Sequence, residues 1–269
     1  MFSAASSQEI PSALICVKNL RCGYPGHDVL KGISFEIQPG EFVGILGPNG
    51  SGKTTLLLAL SGVVDRRVGD ISIRSMSLES LKPKERARCM AAVAQDSQVR
   101  FPYSCEEVVR MGRYPHQKRW QMDTFEDEKV VRRCLEIMDI QDLADRLISA
   151  MSGGERQRVV MAKALAQEAP ILLLDEATSA MDIHRKLQVF RVLEHLNREE
   201  MLTVLTVLHD VNLAALYCRR MIFLKEGEVV ADGPTEEVLT SEVLETVYQT
   251  RVLVQDIPHT GKRQVVFLP

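Results

Sequence analysis

Nine consecutive residues have the composition and order of a loop that binds phosphate groups: Gly47-Pro48-Asn49-Gly50-Ser51-Gly52-Lys53-Thr54-Thr55. Glycines let a loop curl so that its N–H groups, with the N-terminus of a following helix, face a polyphosphate. Lys53 is predicted to reach the β- and γ-phosphates. The Thr54 hydroxyl is predicted to ligate Mg²⁺, which prefers a few protein oxygens together with phosphate and water oxygens. The alternative is a plain glycine turn that caps a helix.

A second candidate for chemistry is a pair of acids at the end of an apolar run. Residues 171–174 are Ile-Leu-Leu-Leu, and Asp175 and Glu176 follow directly. A buried strand of this kind can deliver a carboxylate to a metal at the phosphates, so Asp175 is predicted to lie at the Mg²⁺. Glu176 can polarise water for in-line attack on a γ-phosphate and is assigned as the general base. The alternative for Glu176 is an exposed loop acid.

Between these two motifs lies the segment Met151-Ser152-Gly153-Gly154-Glu155-Arg156-Gln157-Arg158. By itself it reads as a helix start, with Ser152 as N-cap and Glu155 completing a capping box. It also resembles the signature sequence of ABC-type ATPases, LSGGQ or LSGGE. In that family the start of this helix meets the γ-phosphate of an ATP held by the other protomer. The resemblance therefore implies that Ser152, Gly153, Gly154 and Glu155 contact a partner's nucleotide.

Other landmarks of the same family follow in the family's order. The resemblance implies that Tyr24 stacks on adenine, that Gln95 is the Q-loop glutamine and that His209 is the switch histidine. It implies a catalytic role for Gln95 and His209, and it adds Gln95 to Thr54 and Asp175 as a magnesium ligand. The implied cofactors are ATP and Mg²⁺.

The segment Ser179-Ala180-Met181-Asp182 resembles the D-loop, which lies at the dimer interface in this family. Met151 and Met181 stand where leucine is commoner. Because methionine is a flexible apolar near-isostere of leucine, we expect slightly altered packing and unchanged chemistry. The resemblance covers roughly residues 14 to 233.

The elements that must position these motifs alternate between strand-like and helical patterns. Strand-like runs at 13–20, 33–37, 42–46 and 68–74 predict a β-rich start, and a small apolar helix is expected from Lys53. Helical patterns at 106–111, 124–139 and 154–167 predict an inserted lobe. Strand-like runs at 171–174, 202–208 and 221–224, with a helix at 183–197, predict a largely parallel sheet.

The predicted fold class is therefore α/β, with a P-loop NTPase core, a mainly parallel sheet, an N-terminal antiparallel β subdomain and an inserted α-helical subdomain. The predicted divisions are the first part of the ATP-binding core at 1–95 and the helical signature subdomain at 96–168. The rest of the core is predicted at 169–233 and a C-terminal extension at 234–269.

Composition restricts the partners. The chain has 269 residues, with 33 Lys and Arg against 36 Asp and Glu, so no overall basic excess favours nucleic acid. The six cysteines lack zinc-site spacing and are interpreted as reduced thiols. No basic region precedes Lys18, and no apolar run approaches the ~20 residues of a membrane span. We expect a chain that reaches the cytoplasmic face of the cell membrane through a partner.

Two other kinds of ABC-type ATPase fit poorly. Lys53 and Ser152 are 99 residues apart, and the segment between them contains no sustained heptads, unlike the long coiled coils of chromosome-type members. Translation-type members carry two cassettes in one chain, whereas this chain has one P-loop and one signature. The segment 101–116, which includes Gly112-Arg113-Tyr114-Pro115-His116, is similar to the lobe of importer ATPases for iron–siderophore, haem and cobalamin. The alternative is a generic capped helix and turn.

The sequence thus predicts an ATPase that powers import of a metal-chelate cargo through integral membrane permease subunits, served indirectly by a substrate-binding protein. A head-to-tail homodimer is implied, with no nucleic acid partner. The alternatives are a nucleotide-dependent regulatory switch, or a transporter ATPase with another cargo. The permease contact is predicted between Gln95 and His116, with an apolar stretch at 99–103 and Arg110, Arg113 and His116 at its rim. Alternatively, Phe101 and Tyr103 fill the core of the lobe.

Overall fold

A computed structural model describes residues 13–24, 26–95, 102–117 and 124–269. Its strands and helices, in chain order, are β1 (Ile15–Tyr24), β2 (His27–Ile37), β3 (Phe42–Leu46), α1 (Lys53–Leu60), β4 (Arg66–Ile73), β5 (Met76–Ser77), α2 (Pro83–Cys89), β6 (Met90–Val93), α3 (Cys105–Arg110), α4 (Phe125–Ile137), α5 (Gly153–Ala166), β7 (Ile171–Asp175), α6 (Ile183–Glu200), β8 (Thr203–Val207), α7 (Val211–Tyr217), β9 (Arg220–Lys225), β10 (Glu228–Pro234), α8 (Thr235–Val238), α9 (Ser241–Tyr248), β11 (Val252–Ile257) and β12 (Lys262–Phe267).

The central sheet has six strands in the order β10-β9-β3-β8-β7-β6. Strand β10 is antiparallel to β9, and all other neighbours are parallel. Strands β3, β7 and β8 are buried at every residue, which explains their continuous apolar sequences. Because parallel strands end at one edge, the segments after β3, β6, β7 and β8 leave the sheet on the same side.

A second sheet covers one face of this core. It is four-stranded and antiparallel, in the order β2-β1-β4-β5. Its inward side chains share one hydrophobic cluster with helix α1 and with one face of the central sheet. The predicted fold class, with its mainly parallel core, antiparallel β subdomain and inserted helices, is confirmed.

Helices α3, α4 and α5 pack together as the inserted lobe. Each begins at a capping box, formed at Ser104, Thr124 and Ser152 respectively. Hydroxyl caps of this kind satisfy the first N–H groups of a helix and fix its starting residue. The apolar side of the lobe belongs to the cluster that also covers the other face of the central sheet, so the lobe and the core share one interior.

The prediction that Arg113 lies at the rim of a partner groove is wrong. Arg113 is 4% exposed, and its guanidinium donates to Asp127 at 2.8 Å, Glu168 at 2.6 Å and the Ala166 carbonyl at 2.7 Å. A Cβ at Gly112 would approach the Lys163 carbonyl oxygen to 2.2 Å. The Gly-Arg pair therefore joins the short 3₁₀ turn after α3 to α4 and α5.

The remaining residues of the predicted contact have different settings. His116 is half-buried, and its Nε2 is 2.8 Å from the Gln167 carbonyl oxygen. Tyr103 is 38% exposed, so it does not fill the core of the lobe. Phe101 and most of the stretch 99–103 lie outside the described residues.

The segment 234–269 forms helices α8 and α9 and the hairpin β11–β12. The side chain of Asn212 on α7 fastens the hairpin, accepting from Val265 N at 2.7 Å and donating to its carbonyl at 3.1 Å. Leu244, Val247 and Val265 join the larger hydrophobic cluster. The extension is thus packed on the core. Over the described ranges, none of the helices combines the length and apolar character needed to cross a membrane.

Candidate nucleotide-binding site

The loop after β3 has a backbone that requires glycine. Gly47, Gly50 and Gly52 have φ values of 147°, 79° and 100°, in the region that side chains disfavour. A Cβ at Gly47 would come within 2.0 Å of the Leu224 carbonyl oxygen. Gly52 precedes α1 and provides no side-chain cap, so the first N–H groups of this helix can serve a bound anion.

Lys53 lies inside this loop. Its side chain is buried, and its Nζ donates to the carbonyl oxygens of Gly47 at 2.8 Å and Pro48 at 2.9 Å. Burial lowers the pKa of Lys53, and the nearby carboxylates of Glu176 and Asp175 oppose that shift. The loop therefore holds a desolvated cation beside N–H groups, an arrangement suited to a polyphosphate.

Two of the predicted magnesium ligands meet at the end of β7. The Thr54 hydroxyl donates to Asp175 Oδ1 at 3.2 Å. Burial raises the pKa of Asp175, while the hydrogen bond from Thr54 opposes the rise. A hydroxyl and a carboxylate side by side, next to a phosphate loop, match the oxygen ligands that Mg²⁺ prefers. These residues fit a magnesium ion.

Two of the three predicted catalytic residues contact the carboxylate of the third, Glu176. Gln95 Nε2 donates to Glu176 Oε2 at 2.9 Å, and His209 Nε2 contacts Glu176 Oε1. Because a carboxylate only accepts, His209 is assigned the tautomer that donates from Nε2. The Glu176 side chain is 14% exposed, and its φ of 49° is unusual for a residue with a side chain. The Gln95 amide is therefore hydrogen-bonded to Glu176, the candidate general base. The role of Gln95 as a metal ligand stays a prediction.

The signature segment forms the predicted capping box. Ser152 Oγ accepts from Glu155 N at 3.3 Å, and the Glu155 carboxylate accepts from Ser152 N at 2.7 Å. Glu155 is also 3.3 Å from Arg146. Ser152 and Gly153 are exposed at the start of the 14-residue helix α5. Local capping thus leaves this helix end open to a second molecule.

The predicted D-loop, residues 179–182, connects the candidate base Glu176 to the exposed start of helix α5. Ser179 N donates to the Glu176 carbonyl at 3.0 Å, and Asp182 caps α6 through Arg185 N at 2.9 Å. Ser179, Ala180 and Asp182 are exposed. Ala180 lies 3.9 Å from the Cβ position of Gly153, so the D-loop and signature of one chain form adjoining surfaces.

Both unusual methionines are buried in the larger hydrophobic cluster. Met151 is 5% exposed and Met181 is 7% exposed. Each lies next to a segment that is predicted to face a partner. Their side chains therefore act in packing, which agrees with the expectation that they replace leucine.

Tyr24 ends β1, where it pairs with His27, and it is 51% exposed. The ring is thus partly exposed at the end of this strand, and its stacking on adenine stays a prediction. Sequence reasoning missed Tyr248 on α9, whose hydroxyl lies beside the loop backbone at Gly47. Nothing in the local sequence indicates this contact, because only the packing of α9 produces it.

Comparisons with known proteins agree with this geometry. Residues 30–179 match the family model described as ABC transporter. The ferric enterobactin transport ATP-binding protein FepC of Escherichia coli K12 is 37% identical over 249 residues, covering 93% of this chain and 92% of FepC. The hemin import ATP-binding protein HmuV of Pseudomonas fluorescens is 39% identical over 259 residues, covering 94% and 99%.

Comparison with solved structures also finds ATP-binding chains of ABC transporters. A chain of a metal-chelate type ABC transporter in an inward-facing conformation has a TM-score of 0.82 and 27% identity, covering 96% of this chain and 98% of that one. The dimeric ATP-binding cassette MJ0796, bound to ADP and phosphate, has a TM-score of 0.74 and 31% identity, covering 82% and 98%.

Proposed function

The chain belongs to the ABC transporter family of ATP-binding proteins, and on that premise we propose that it hydrolyses ATP between two copies of itself to power import through a separate permease. The resemblance inferred from the motifs is confirmed. The observation that carries the catalytic part is the meeting of Gln95 and His209 on Glu176, directly after the Thr54–Asp175 pair. A phosphate loop, a metal-type oxygen pair and an oriented carboxylate form one continuous site.

In this proposal each group has a separate task. Loop N–H groups and Lys53 bind the phosphates, and Thr54 and Asp175 hold Mg²⁺, with Gln95 as a further candidate ligand. The metal would neutralise phosphate charge. Glu176 orients a water and accepts its proton during attack on the γ-phosphate. His209 and Gln95 orient that carboxylate by hydrogen bonding, and Tyr24 stacks on the base.

We propose that two chains associate head to tail. The exposed start of α5 offers a helix N-terminus to an anion, and Ser152, Gly153 and Gly154 would meet the phosphates held by the partner's loop. Glu155 would support this surface through its cap to Ser152. The exposed D-loop residues next to it would complete the contact. No nucleic acid partner is proposed.

The surface proposed to meet the permease is a groove of the lobe of about 490 Å³. It is lined by Tyr103, Glu107, Arg110, Met111, Tyr114, Gln117 and Lys163. Tyr103, Met111 and Tyr114 are exposed, which suits a short amphipathic helix. Occupation of this groove would hold the chain at the cytoplasmic face of the membrane. We retain the divisions 1–95, 96–168, 169–233 and 234–269 as structural units of the proposal, with permease contact in the second.

We propose an iron–siderophore, haem or similar metal chelate as cargo, delivered to the permease by a substrate-binding protein. The names of two relatives, for ferric enterobactin transport and hemin import, support this choice. Cobalamin fits the same class. A regulatory switch remains the rival function, since it would use the same nucleotide site.

The test is uptake of radiolabelled iron–siderophore, haem and cobalamin by cells that lack the chain. The parent chain should restore uptake of one cargo, and Lys53→Ala should restore none. Lys129→Ala, which changes an exposed lysine on α4, is the matched control and should behave as the parent. ATP hydrolysis by the purified parent without restored uptake of any of the three cargoes would refute metal-chelate import and favour the switch or a transporter of another cargo.

A further inference from the structure

A cavity lies at the edge of the central sheet that is opposite to the phosphate loop. Arg219, one of its lining residues, comes directly before β9, and its N–H donates to the carbonyl of Phe42 at the start of β3 at 3.0 Å. The phosphate loop follows the other end of β3, which is five residues long. Because a strand rises about 3.3 Å per residue, the two edges are roughly 15 Å apart. The cavity is therefore separate from the nucleotide site.

The lining of this cavity is positively charged. The cavity has a volume of about 320 Å³ and lies between the core and the C-terminal extension. Arg219 of the core and Lys262 and Arg263 of strand β12 line it, and Glu236 on α8 is the one acid among the lining residues. Three cations against one carboxylate leave an excess of two positive charges, in a chain whose net charge is −3. The excess is thus local to the cavity.

Two of these cations have no counter-ion. Over the ranges that the structure describes, neither the Arg219 guanidinium nor the Lys262 ammonium forms a hydrogen bond or an ion pair. Arg219 is exposed, but Lys262 is half-buried. Like charges that line one cavity repel each other, and partial burial strengthens that repulsion because water screens it less. An anion in the cavity would replace this repulsion with attraction.

The third cation is fixed in position. Arg263 Nη1 donates to the carbonyl oxygens of Glu236 at 2.6 Å and Leu239 at 3.2 Å. Its Nε is 3.5 Å from Asp256, whose side chain is 88% exposed, so this carboxylate neutralises Arg263 only weakly. A guanidinium has five N–H groups, and those on Nη2 form no hydrogen bond within the described part of the chain. Strand β12 is itself fastened to α7, so the site is preorganised.

A phosphate group matches this arrangement in charge and in hydrogen bonding. A phosphate monoester carries about two negative charges at neutral pH, equal and opposite to the excess in the lining. Its oxygens only accept hydrogen bonds, whereas guanidinium and ammonium groups only donate them. A cavity of about 320 Å³ lies in the usual size range of small-molecule sites.

We propose that this cavity binds a small molecule that carries a phosphate or diphosphate group, held between Arg219 of the core and the Lys262 and Arg263 side chains of the C-terminal hairpin. The bound anion would contact cations from both units. It would therefore stabilise the packing of the extension on the core. The site is separate from the phosphate loop, so it does not depend on ATP binding.

The test is a calorimetric titration of pyrophosphate into the full chain carrying Lys53→Ala, which removes the cation of the phosphate loop. This protein should bind pyrophosphate saturably, and its melting temperature should rise with pyrophosphate concentration. Adding Lys262→Gln or Arg219→Gln should raise the Kd about tenfold or more, the effect of one lost charge-assisted hydrogen bond. Adding Lys129→Gln, which removes an exposed lysine on α4, is the matched control and should leave the Kd unchanged.

Without pyrophosphate, Lys262→Gln and Arg219→Gln should melt at the temperature of the Lys129→Gln control, because neither cation has a partner in the described structure. A lower melting temperature for both would assign them a structural role and overturn the proposal. Absence of saturable binding, or an equal Kd in Lys262→Gln and Lys129→Gln, would also overturn it. Binding to phosphatidylglycerol vesicles that Lys262→Gln abolishes, in a chain that does not bind pyrophosphate, would assign these cations to a membrane surface instead.

Discussion

Replacing Glu176 with glutamine removes the candidate base while preserving its shape. In the parent, the carboxylate accepts from Gln95 at 2.9 Å and contacts His209. The amide oxygen can still accept from one neighbour, and the amide N–H can face His209 in its other tautomer. Stability should therefore change by about 1 kcal/mol or less. Hydrolysis should fall at least ~100-fold, the usual effect of losing a general base.

Phosphate release at steady state measures this loss, and gel filtration with ATP measures association. Binding of ATP should persist, so Glu176→Gln dimers should accumulate. Glu194→Gln is the matched control, because Glu194 is a partly exposed acid on α6 paired only with Arg198 within the described contacts. It should hydrolyse ATP as the parent does. Parental turnover by Glu176→Gln would refute the assignment of the base.

Further changes test other parts of the structure. Tyr24→Ala should weaken binding of both ATP and GTP about fivefold in a nucleotide titration, since stacking contributes ~1 kcal/mol; equal affinity would place the purine elsewhere. Gly47→Ala should abolish ATP binding, because a Cβ there meets the Leu224 carbonyl at 2.0 Å, and retained binding would contradict this packing. Arg113→Met should lower the free energy of unfolding in urea by about 3–5 kcal/mol, because it leaves buried Asp127 without its cation; a surface-like effect below 1 kcal/mol would oppose this. Burial raises the pKa of Asp127, but hydrogen bonds from Thr124 and Arg113 outweigh it and lower the pKa to about 2. Its stabilisation is thus present above the unfolded pKa of ~3.9 and lost as pH falls toward 2, so urea unfolding of Asp127→Asn should depend less on pH there than that of the parent.

Prediction from the sequence is most accurate where one physical requirement determines both the residue pattern of an element and the positions at which it begins and ends. Strand β3 has the predicted bounds, because a strand buried on both faces must be apolar throughout. Helix α5 begins at Gly153, one residue before the predicted start, because the capping box marks where a helix begins. The motifs after β3 and β7 meet because parallel strands end at one edge.

Prediction fails where the decisive contact comes from distant parts of the chain. In the sequence, the segment around Arg113 is typical of a surface-exposed cation. Its burial is favourable only because Asp127 and Glu168, from other parts of the chain, form ion pairs with it. The left-handed backbone of Glu176 likewise has no local signal, since glutamate disfavours it. The approach of Tyr248 to Gly47 depends on how α9 packs.

The central claim is that two chains complete each other's ATP site, and complementation between two inactive variants tests it most directly. Lys53→Ala disables the phosphate loop. Gly153→Asp places a carboxylate at the exposed start of α5, where it would repel a partner's phosphates. Neither variant alone should hydrolyse ATP. In an equimolar mixture about half the dimers are mixed, and each has one site with both parts intact, so up to about a quarter of the parental rate should return. A mixture no more active than its components would contradict a site shared between chains.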